Sequence, residues 1–266
     1  MLALSITGAS AQETVPNPYF FEVASVKPNR SGVDANYTNP GQYSVHYITF
    51  LSLLMQAFGL KRYQYVVPAW METQRYDVVG KMPPGTTSAQ RNAMLRNLLV
   101  ERFRLQFHYE PREGDVYDLV VAKGGPKMQP ANADETADAN APPKVSFAAD
   151  GLPSFPPGSP ARTMVSGLGG QTSIVTTKLS MTKLADMLSS QLQAPVSDKT
   201  GLTDNYSFLL HFLPLRGTSP LQAIDQDLAP TIHSALPSQL GLKLERHRGP
   251  IQVLVVDQAE KTPIEN

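Results

Sequence analysis

The chain contains no cysteine among its 266 residues, which excludes disulfide bonds, thiolate metal ligands and thiol nucleophiles. It also lacks an excess of either charge, because 23 basic side chains balance 23 acidic ones. A neutral chain gains little from counterion release, so the balance argues against general nucleic-acid binding. Beyond its first residues, no run approaches the roughly 18 consecutive apolar positions of a transmembrane helix. We therefore expect neither a nucleic-acid ligand nor a transmembrane segment.

Hydrophobic residues make up 41% of the chain and charged residues 17%, which is enough to bury a core. The length fits one large domain or two small ones. With 23 prolines and 18 glycines, the chain has many turns and little room for long helices. The composition is that of a globular protein built from short elements.

The first twelve residues carry no charge and include an Ala-x-Ala pattern at positions 9–11. Such a pattern ends a signal peptide, with cleavage expected after Ala11. A basic segment before it is missing and the apolar run is short. We interpret residues 1–17 as a signal remnant with a disordered N-terminus, and expect a soluble periplasmic or secreted protein.

The chain shows signs of an internal duplication. Residues 41–45 (GQYSV) recur as residues 170–174 (GQTSI), and further matches follow in the same order at offsets between 129 and 137 residues. We predict a first α/β repeat over residues 18–128 and a second over residues 166–266. A proline-rich linker or long loop over residues 129–165 joins them.

Both copies predict the same order of elements, in an α+β fold where each repeat is a small mixed sheet with helices on one face. Thr49 and Ser180 stand where the N-cap of a helix belongs, and Gly59 where a helix ends. In the first copy we predict strand 42–47, helix 50–58, strand 75–81, helix 88–101, and a hairpin of 103–110 with 116–123. In the second we predict strand 171–176, helix 181–192, strand 206–212, helix 228–239, and a hairpin of 241–248 with 251–258.

Four motifs in order carry a resemblance to a known family: FEVASVKPN from Phe21, LLVERF from Leu98 with YDLVVAKGGPK from Tyr117, DKTGLT from Asp198, and LGLKL from Leu240. With these motifs the chain resembles the DUF3738 family of soil-associated bacteria, from Phe21 to its end. The resemblance implies export, many paralogues in acidobacteria, and relatives joined to membrane sensor-peptidase modules. It implies no activity. The chain departs from the family at Asp204-Asn205, where members tend to have a glycine.

One motif points to a serine hydrolase. Ser180 and Lys183 are one helical turn apart, and Lys199-Thr-Gly follows, as in serine β-lactamases and related esterases. The repeat argues against this reading, because Ser180 aligns with the cap residue Thr49. Only 15 residues separate Lys183 from Asp198, whereas the Lys-Thr-Gly strand lies far downstream in those enzymes.

Three further residues are candidates for binding. Asp198 and Lys199 belong to a polar turn, which is either structural or a recognition loop. Trp70 is the only tryptophan, and it is either a core residue or a surface on which a sugar or peptide stacks.

Signals for metals and cofactors are missing. The five histidines form no close pair, and the chain has neither a Gly-x-Ser-x-Gly elbow nor a phosphate-binding loop. We predict no metal and no cofactor. The leading prediction is an exported, non-catalytic binding or sensor-associated module for a peptide, glycan or partner protein. The alternatives are a serine hydrolase (an esterase or β-lactam-interacting protein) using Ser180 and Lys183, and a self-assembling structural protein whose sheet edges pair between copies.

Overall fold

The computed structural model describes residues 19–29, 36–39, 41–131, 145–147, 152–156, 159–168, 171–214 and 230–264. The predicted signal remnant and most of the predicted linker lie outside these residues. The chain divides into two compact units, one of Met1–Arg112 with Gln252–Asn266 and one of Glu113–Ile251. Each is described by itself. The predicted repeat boundaries, and the duplication itself, stay predictions.

The α+β class predicted from the sequence is confirmed. The first unit contains, in chain order, β1 (Val23–Pro28), β2 (Asn36–Asn39), β3 (Gln42–Thr49), α1 (Phe50–Phe58), β4 (Tyr65–Val66), α2 (Trp70–Thr73), β5 (Arg75–Lys81), α3 (Ser88–Phe103) and the start of β6 (Gln106–Val121). The second unit holds the rest of β6, then β7 (Gln129–Pro130), β8 (Ser146–Phe147), β9 (Pro153–Ser154), β10 (Thr163–Leu168), β11 (Gln171–Ser180), α4 (Met181–Leu192), β12 (Val196–Asp198), β13 (Asn205–Phe212), α5 (Ile232–Ala235), a π-helical turn (Leu236–Leu240) and the start of β14 (Leu242–Gln258).

Each unit has its own four-stranded sheet. The order is β1-β5-β3-β2 in the first unit and β10-β11-β13-β7 in the second, and all the pairings are antiparallel. A third sheet has the order β12-β6-β14-β4, where β12 pairs with β6, and β4 with β14, in parallel. Strands β8 and β9 form a small pair.

The predicted helix caps are confirmed. Thr49 Oγ1 accepts a hydrogen bond from the Ser52 backbone N–H at the start of α1. Gly59 ends that helix with φ of 66°, a conformation that glycine adopts without steric cost. Ser180 caps α4 in the same way, accepting from the Lys183 backbone N–H. These polar ends fix where each helix begins, so α1 and α4 have the predicted bounds.

The two predicted hairpins are wrong, because β6 and β14 are each one long strand and are neighbours in the third sheet. Gly114 and Gly249, which lie between the predicted hairpin strands, are inside strands β6 and β14 and have no positive φ. A Cβ at Gly114 would lie 2.5 Å from Ile251 Cδ1, and one at Gly249 would lie 3.0 Å from Val116 Cγ2. Both glycines therefore allow close packing against a neighbouring strand.

The predicted helix 228–239 also differs from the structure. Helix α5 begins at Ile232 and continues as a π-helical turn from Leu236, and residues 228–229 lie outside the described residues. Pro237 lies at the start of that turn. Since proline has no N–H for an α-helical hydrogen bond, it favours a break in the regular helix at this point.

Aromatic rings fill the core of the first unit. Phe50, Tyr76 and Phe103 are fully buried, and their ring centroids lie 4.9 to 6.3 Å apart in edge-on pairs. Each ring pair adds about 0.5–1.5 kcal/mol beyond its buried area. In the second unit the core is mostly aliphatic with a few aromatic rings, and includes Ile174, Leu184, Leu188, Leu210 and Phe212.

The first unit's sheet has a buried face and an outward face. Tyr43, Val45, Tyr76 and Val78 are all buried in the core. Because successive side chains on a strand point to opposite faces, Ser44 and Asp77 point away from this core. The outward face is where polar groups converge.

Candidate functional site

A β-bulge shapes the outward face of the β1-β5-β3-β2 sheet. Strands β3 and β5 pair as Val45 with Val78 and resume as Ile48 with Tyr76, so two residues of β3 oppose one of β5. The first unit is locally strained here, because Tyr47 has φ of 57°, which is uncommon outside glycine. Bulges re-aim side chains and are common beside active sites. This one contains His46 and Tyr47, which both contact Asp77.

The Asp77 carboxylate is held by two donors. Its Oδ1 accepts from Asn29 Nδ2 at 2.6 Å and from the Tyr47 backbone N–H at 3.0 Å. Partial burial raises the pKa of Asp77, but these hydrogen bonds and nearby His46 outweigh burial and leave the pKa below its usual value. The carboxylate is therefore ionised and fixed in position at neutral pH.

His46 links this carboxylate to a serine. Its Nδ1 lies 3.4 Å from Asp77 Oδ1, and its Nε2 lies 3.2 Å from Ser44 Oγ. The Ser44 side chain is buried, whereas about a third of the His46 side chain is exposed. Ser44, His46 and Asp77 thus form a connected series of hydroxyl, imidazole and carboxylate, which we call the outward triad.

A groove of about 950 Å³ lies on the same outward face, and none of the three triad residues is among its described lining residues. Val79 lies in the groove and pairs directly with Ser44 across β3 and β5. The described residues that line it combine polar and apolar side chains, among them Ser25, Asn39, Gln42, Val79, Lys81 and Met82.

Two residues that line the groove, Lys81 and Glu22, form an ion pair. Lys81 Nζ lies 2.8 Å from Glu22 Oε2. The hydrogen bond to Glu22, together with its negative charge, raises the pKa of Lys81. The groove therefore presents both a positive and a negative group beside its amide and hydroxyl side chains, which suits a ligand with donors and acceptors of its own.

The second unit carries a related pair of side chains. Ser173 Oγ lies 3.1 Å from His211 Nδ1, and β11 has its own bulge between Thr176 and Leu179. The residue opposite that bulge is Ser207, which donates to the Thr176 carbonyl oxygen. The counterpart of Asp77 is therefore a serine.

The structure places Ser180 and Lys183 at the start of α4. Ser180 Oγ accepts from the Lys183 backbone N–H at 3.4 Å, and the Lys183 side chain is exposed. Within the described residues, no hydrogen bond joins the Ser180 hydroxyl to the Lys183 ammonium group. The hydroxyl has the geometry of a helix cap.

Asp198 is the last residue of β12, and Lys199 lies in the turn that follows. Asp198 Oδ1 accepts from the Thr200 backbone N–H at 3.0 Å and from Thr200 Oγ1 at 2.7 Å, and Gly201 has φ of 70°. The Lys199 backbone N–H donates to the Leu119 carbonyl oxygen, and its side chain is exposed. These bonds give Asp198 a structural part in the turn.

Trp70 lies against the core of the first unit. Its ring centroid is 5.1 Å from that of Phe50, and the side chain is half-buried. One ring face is therefore occupied by the protein itself. Trp70 is not among the described residues that line the groove.

Across the part of the chain that the structure describes, no three His, Asp or Glu side chains are grouped to hold a metal ion. Nor does any described helix have the length and apolar character needed to cross a membrane.

The sequence reading missed the outward triad. The alternation of β3 places Ser44 and His46 on one face, and this signal was available. Asp77 lies on another strand, and it meets His46 because the pairing of β3 with β5 runs to Val45 with Val78, so that His46 and Asp77 are the next opposed residues.

Comparison with known families identifies the chain at the level of its class. Residues 51–259 match the family described as a protein of unknown function (DUF3738), and the chain belongs to it. Asp77 lies inside the matched region, whereas Ser44 and His46 precede it. No curated protein matches the chain. No solved structure matches it either.

Proposed function

We propose that this chain is an exported binding module that holds an extended polypeptide segment in the groove on the outward face of its first sheet. The groove of about 950 Å³ carries the proposal, because ligand sites are usually concave and contain a few convergent polar groups. The chain would bind this segment either on its own or as the sensory part of a larger assembly.

The lining favours a polypeptide over a glycan. Asn39 and Gln42 supply amide groups that both donate and accept, which matches the alternating N–H and C=O groups of a peptide backbone. Val79 and Met82 supply apolar contact for side chains. The described lining residues include no aromatic ring on which a sugar would stack, and Trp70 packs against Phe50 instead.

The charges in the groove add selectivity. Lys81 and Glu22 are exposed partners, and such a surface pair adds little to stability. Either charge is thus available to a ligand at small cost. A peptide carboxylate would pair with Lys81 and a peptide ammonium group with Glu22, so we expect peptides that carry both charges to bind better than uncharged ones.

The test is a fluorescence anisotropy titration of the full chain with a pool of fluorescein-labelled degenerate decapeptides. We expect saturable binding that Gln42→Ala and Lys81→Glu weaken. Gln171→Ala is the matched control, since Gln171 begins the central strand of the second sheet as Gln42 does in the first. It should bind as the unaltered chain does.

Two results would contradict this proposal. One is equal loss of binding in the Gln171→Ala control, which would place the ligand elsewhere. The other is saturable binding of labelled chito- or cello-oligosaccharides with no binding of the peptide pool, which would assign the groove to glycans.

Export is tested separately. Fractionation of the bacterium that produces the protein, followed by N-terminal sequencing, should find the protein outside the cytoplasm with a chain that starts after Ala11. A cytoplasmic product with the original N-terminus would contradict export by this sequence.

A further inference from the structure

We infer that Ser44, His46 and Asp77 act as nucleophile, general base and orienting carboxylate in the hydrolysis of carboxylic esters. The inference goes beyond the proposed binding role. It uses the groove only as the route by which an ester reaches Ser44, so it does not require the natural ligand to be a polypeptide.

The order of contacts is the one that nucleophilic catalysis needs. A serine hydroxyl is a weak nucleophile until an adjacent base accepts its proton, and the base must be oriented by a third group. Here His46 Nε2 lies 3.2 Å from Ser44 Oγ, while Nδ1 of the same ring lies 3.4 Å from Asp77 Oδ1. Catalytic hydrogen bonds are often this long in an empty site and shorten when substrate binds.

Asp77 is itself held in place. Asn29 Nδ2 and the Tyr47 backbone N–H both donate to its Oδ1, at 2.6 Å and 3.0 Å. The Tyr47 contact exists because the bulge bends β3 and puts that residue in a left-handed conformation. Strained backbone of this kind concentrates at functional sites.

The chemistry balances with no cofactor. Ser44 Oγ attacks the ester carbonyl carbon while His46 Nε2 takes the hydroxyl proton, giving a tetrahedral oxyanion. The oxyanion collapses, the C–O bond to the alcohol breaks, and His46 returns the proton to the leaving alcohol. Water then attacks the acyl-Ser44, with His46 again accepting a proton. Breaking the bond to Ser44 releases the carboxylic acid and restores the hydroxyl.

We name esters as the substrate class because the leaving group determines how completely His46 must protonate it. An alkoxide leaves with partial proton transfer from His46, whereas an amine requires full protonation before the C–N bond breaks. His46 is about one-third exposed, so water has access for the second step.

A purely structural role for the three residues makes a different prediction. Ser173 and His211 form a serine–histidine contact in the second sheet, and Ser207 takes the place opposite the bulge. If such contacts only support sheets, both serines should be equally unreactive.

The test treats the full chain with a fluorophosphonate probe and identifies the labelled residue by mass spectrometry. In parallel, hydrolysis of p-nitrophenyl acetate is followed for the unaltered chain and for the variants Ser44→Ala, His46→Gln, Asp77→Asn and Ser173→Ala. We expect label on Ser44 alone. We also expect kcat to fall by about 10²–10⁴-fold in the first three variants and to stay unchanged in Ser173→Ala.

Asp77 acts through His46, so its variant has an additional readout. Asp77→Asn should change the pH profile of kcat/KM as well as its height, because it alters the group that orients the base. A uniform loss at every pH, together with a lower thermal midpoint, would assign Asp77 a structural role only.

Several results overturn the inference. They are no label on Ser44 of the unaltered chain, equal labelling of Ser173, or the same rate of ester hydrolysis in Ser44→Ala as in the unaltered chain. Labelling uses the unaltered protein, so it decides the matter even if a variant fails to fold. Peptide binding by anisotropy that survives in Ser44→Ala without any labelling would leave the binding proposal standing and remove this one.

Discussion

His46 Nδ1 lies 3.4 Å from Asp77 Oδ1 at the point where β3 and β5 lose and regain their register. The pairing of Val45 with Val78 makes His46 and Asp77 the next opposed residues, and the bulge begins there. Tyr47 is the extra residue of the bulge, and its backbone N–H donates to the same carboxylate.

Stability at acid pH should depend on Asp77. Its pKa is lower in the folded chain than its usual value of about 3.9, so its stabilising contribution is present above that value and is lost as pH falls through the folded pKa. We expect the free energy of unfolding of the unaltered chain to fall more steeply below about pH 4 than that of Asp77→Asn. Urea unfolding across a pH series measures this, with Glu72→Gln as a control at an exposed carboxylate. Parallel curves for the unaltered chain and Asp77→Asn would contradict the prediction.

Gly241→Ala should destabilise the chain strongly. A Cβ at this position would lie 2.1 Å from the Gly125 carbonyl oxygen, and φ is 67°. Backbone strain and overpacking together should cost about 3 kcal/mol in the free energy of unfolding. Gly59→Ala is the matched control, because φ is 66° but nothing lies within 4 Å of its Cβ. It should lose only about 1 kcal/mol, and equal losses in urea unfolding would show that contact with Gly125 is unimportant.

Ser180→Ala should cost stability through the helix cap and leave catalysis intact. The lost hydrogen bond to the Lys183 backbone N–H is worth about 1 kcal/mol of unfolding free energy. Lys183→Gln, which keeps that N–H, should unfold as the unaltered chain does. Loss of p-nitrophenyl acetate hydrolysis in both variants would instead support the alternative serine hydrolase site.

The aromatic core should be sensitive to truncation. Phe50 is fully buried and contacts the rings of Trp70, Tyr76 and Phe103. Phe50→Ala should lower the free energy of unfolding by about 3–5 kcal/mol. Phe147→Ala removes a ring that is 57% exposed, and we expect a change within about 0.5 kcal/mol. Similar losses of unfolding free energy in the two variants, measured by chemical denaturation, would contradict the assignment of Phe50 to the core.

His108 should titrate at higher pH than a free histidine. Its Nδ1 lies 2.8 Å from Asp257 Oδ1, and this hydrogen bond raises the pKa of His108. The contact between His108 and Asp257 stabilises the folded chain below the pKa of about 6.5 that His108 has in the unfolded chain. This stabilisation is lost as pH rises through the higher pKa of His108 in the folded chain. An NMR titration of the imidazole protons should show the raised midpoint, which returns toward 6.5 in Asp257→Asn. An unchanged midpoint in that variant would contradict the contact.

The helices show how far sequence alone leads. The bounds of α1 and α4 follow from Thr49, Gly59 and Ser180, because a cap is a local interaction between residues close in the chain. The hairpin predictions failed because the structure at these positions depends on contacts between strands that are distant in sequence. Gly114 and Gly249 resemble turn residues locally, but their role is to admit Ile251 and Val116 from a strand distant in sequence.

The candidate site was out of reach for a related reason. Ser44 and His46 are two positions apart on one strand, so their shared face follows from alternation. Asp77 joins them because β3 pairs with β5 in a register that puts His46 opposite Asp77, and no local pattern signals which residues of two strands pair. Trp70, the most conspicuous single residue, packs on Phe50 and lies away from the described lining of the groove.

The most direct test of the account is chemical-shift mapping of the full, ¹⁵N-labelled chain during titration with the best-binding peptide from the decapeptide pool. We predict that the largest amide shifts cluster at Gln42, Val79 and Lys81 on the outward face of the first sheet. The corresponding strands of the second sheet, around Gln171, should stay unchanged. Shifts concentrated in the second sheet, or none at a peptide concentration that saturates anisotropy, would contradict the claim that this face is the binding surface.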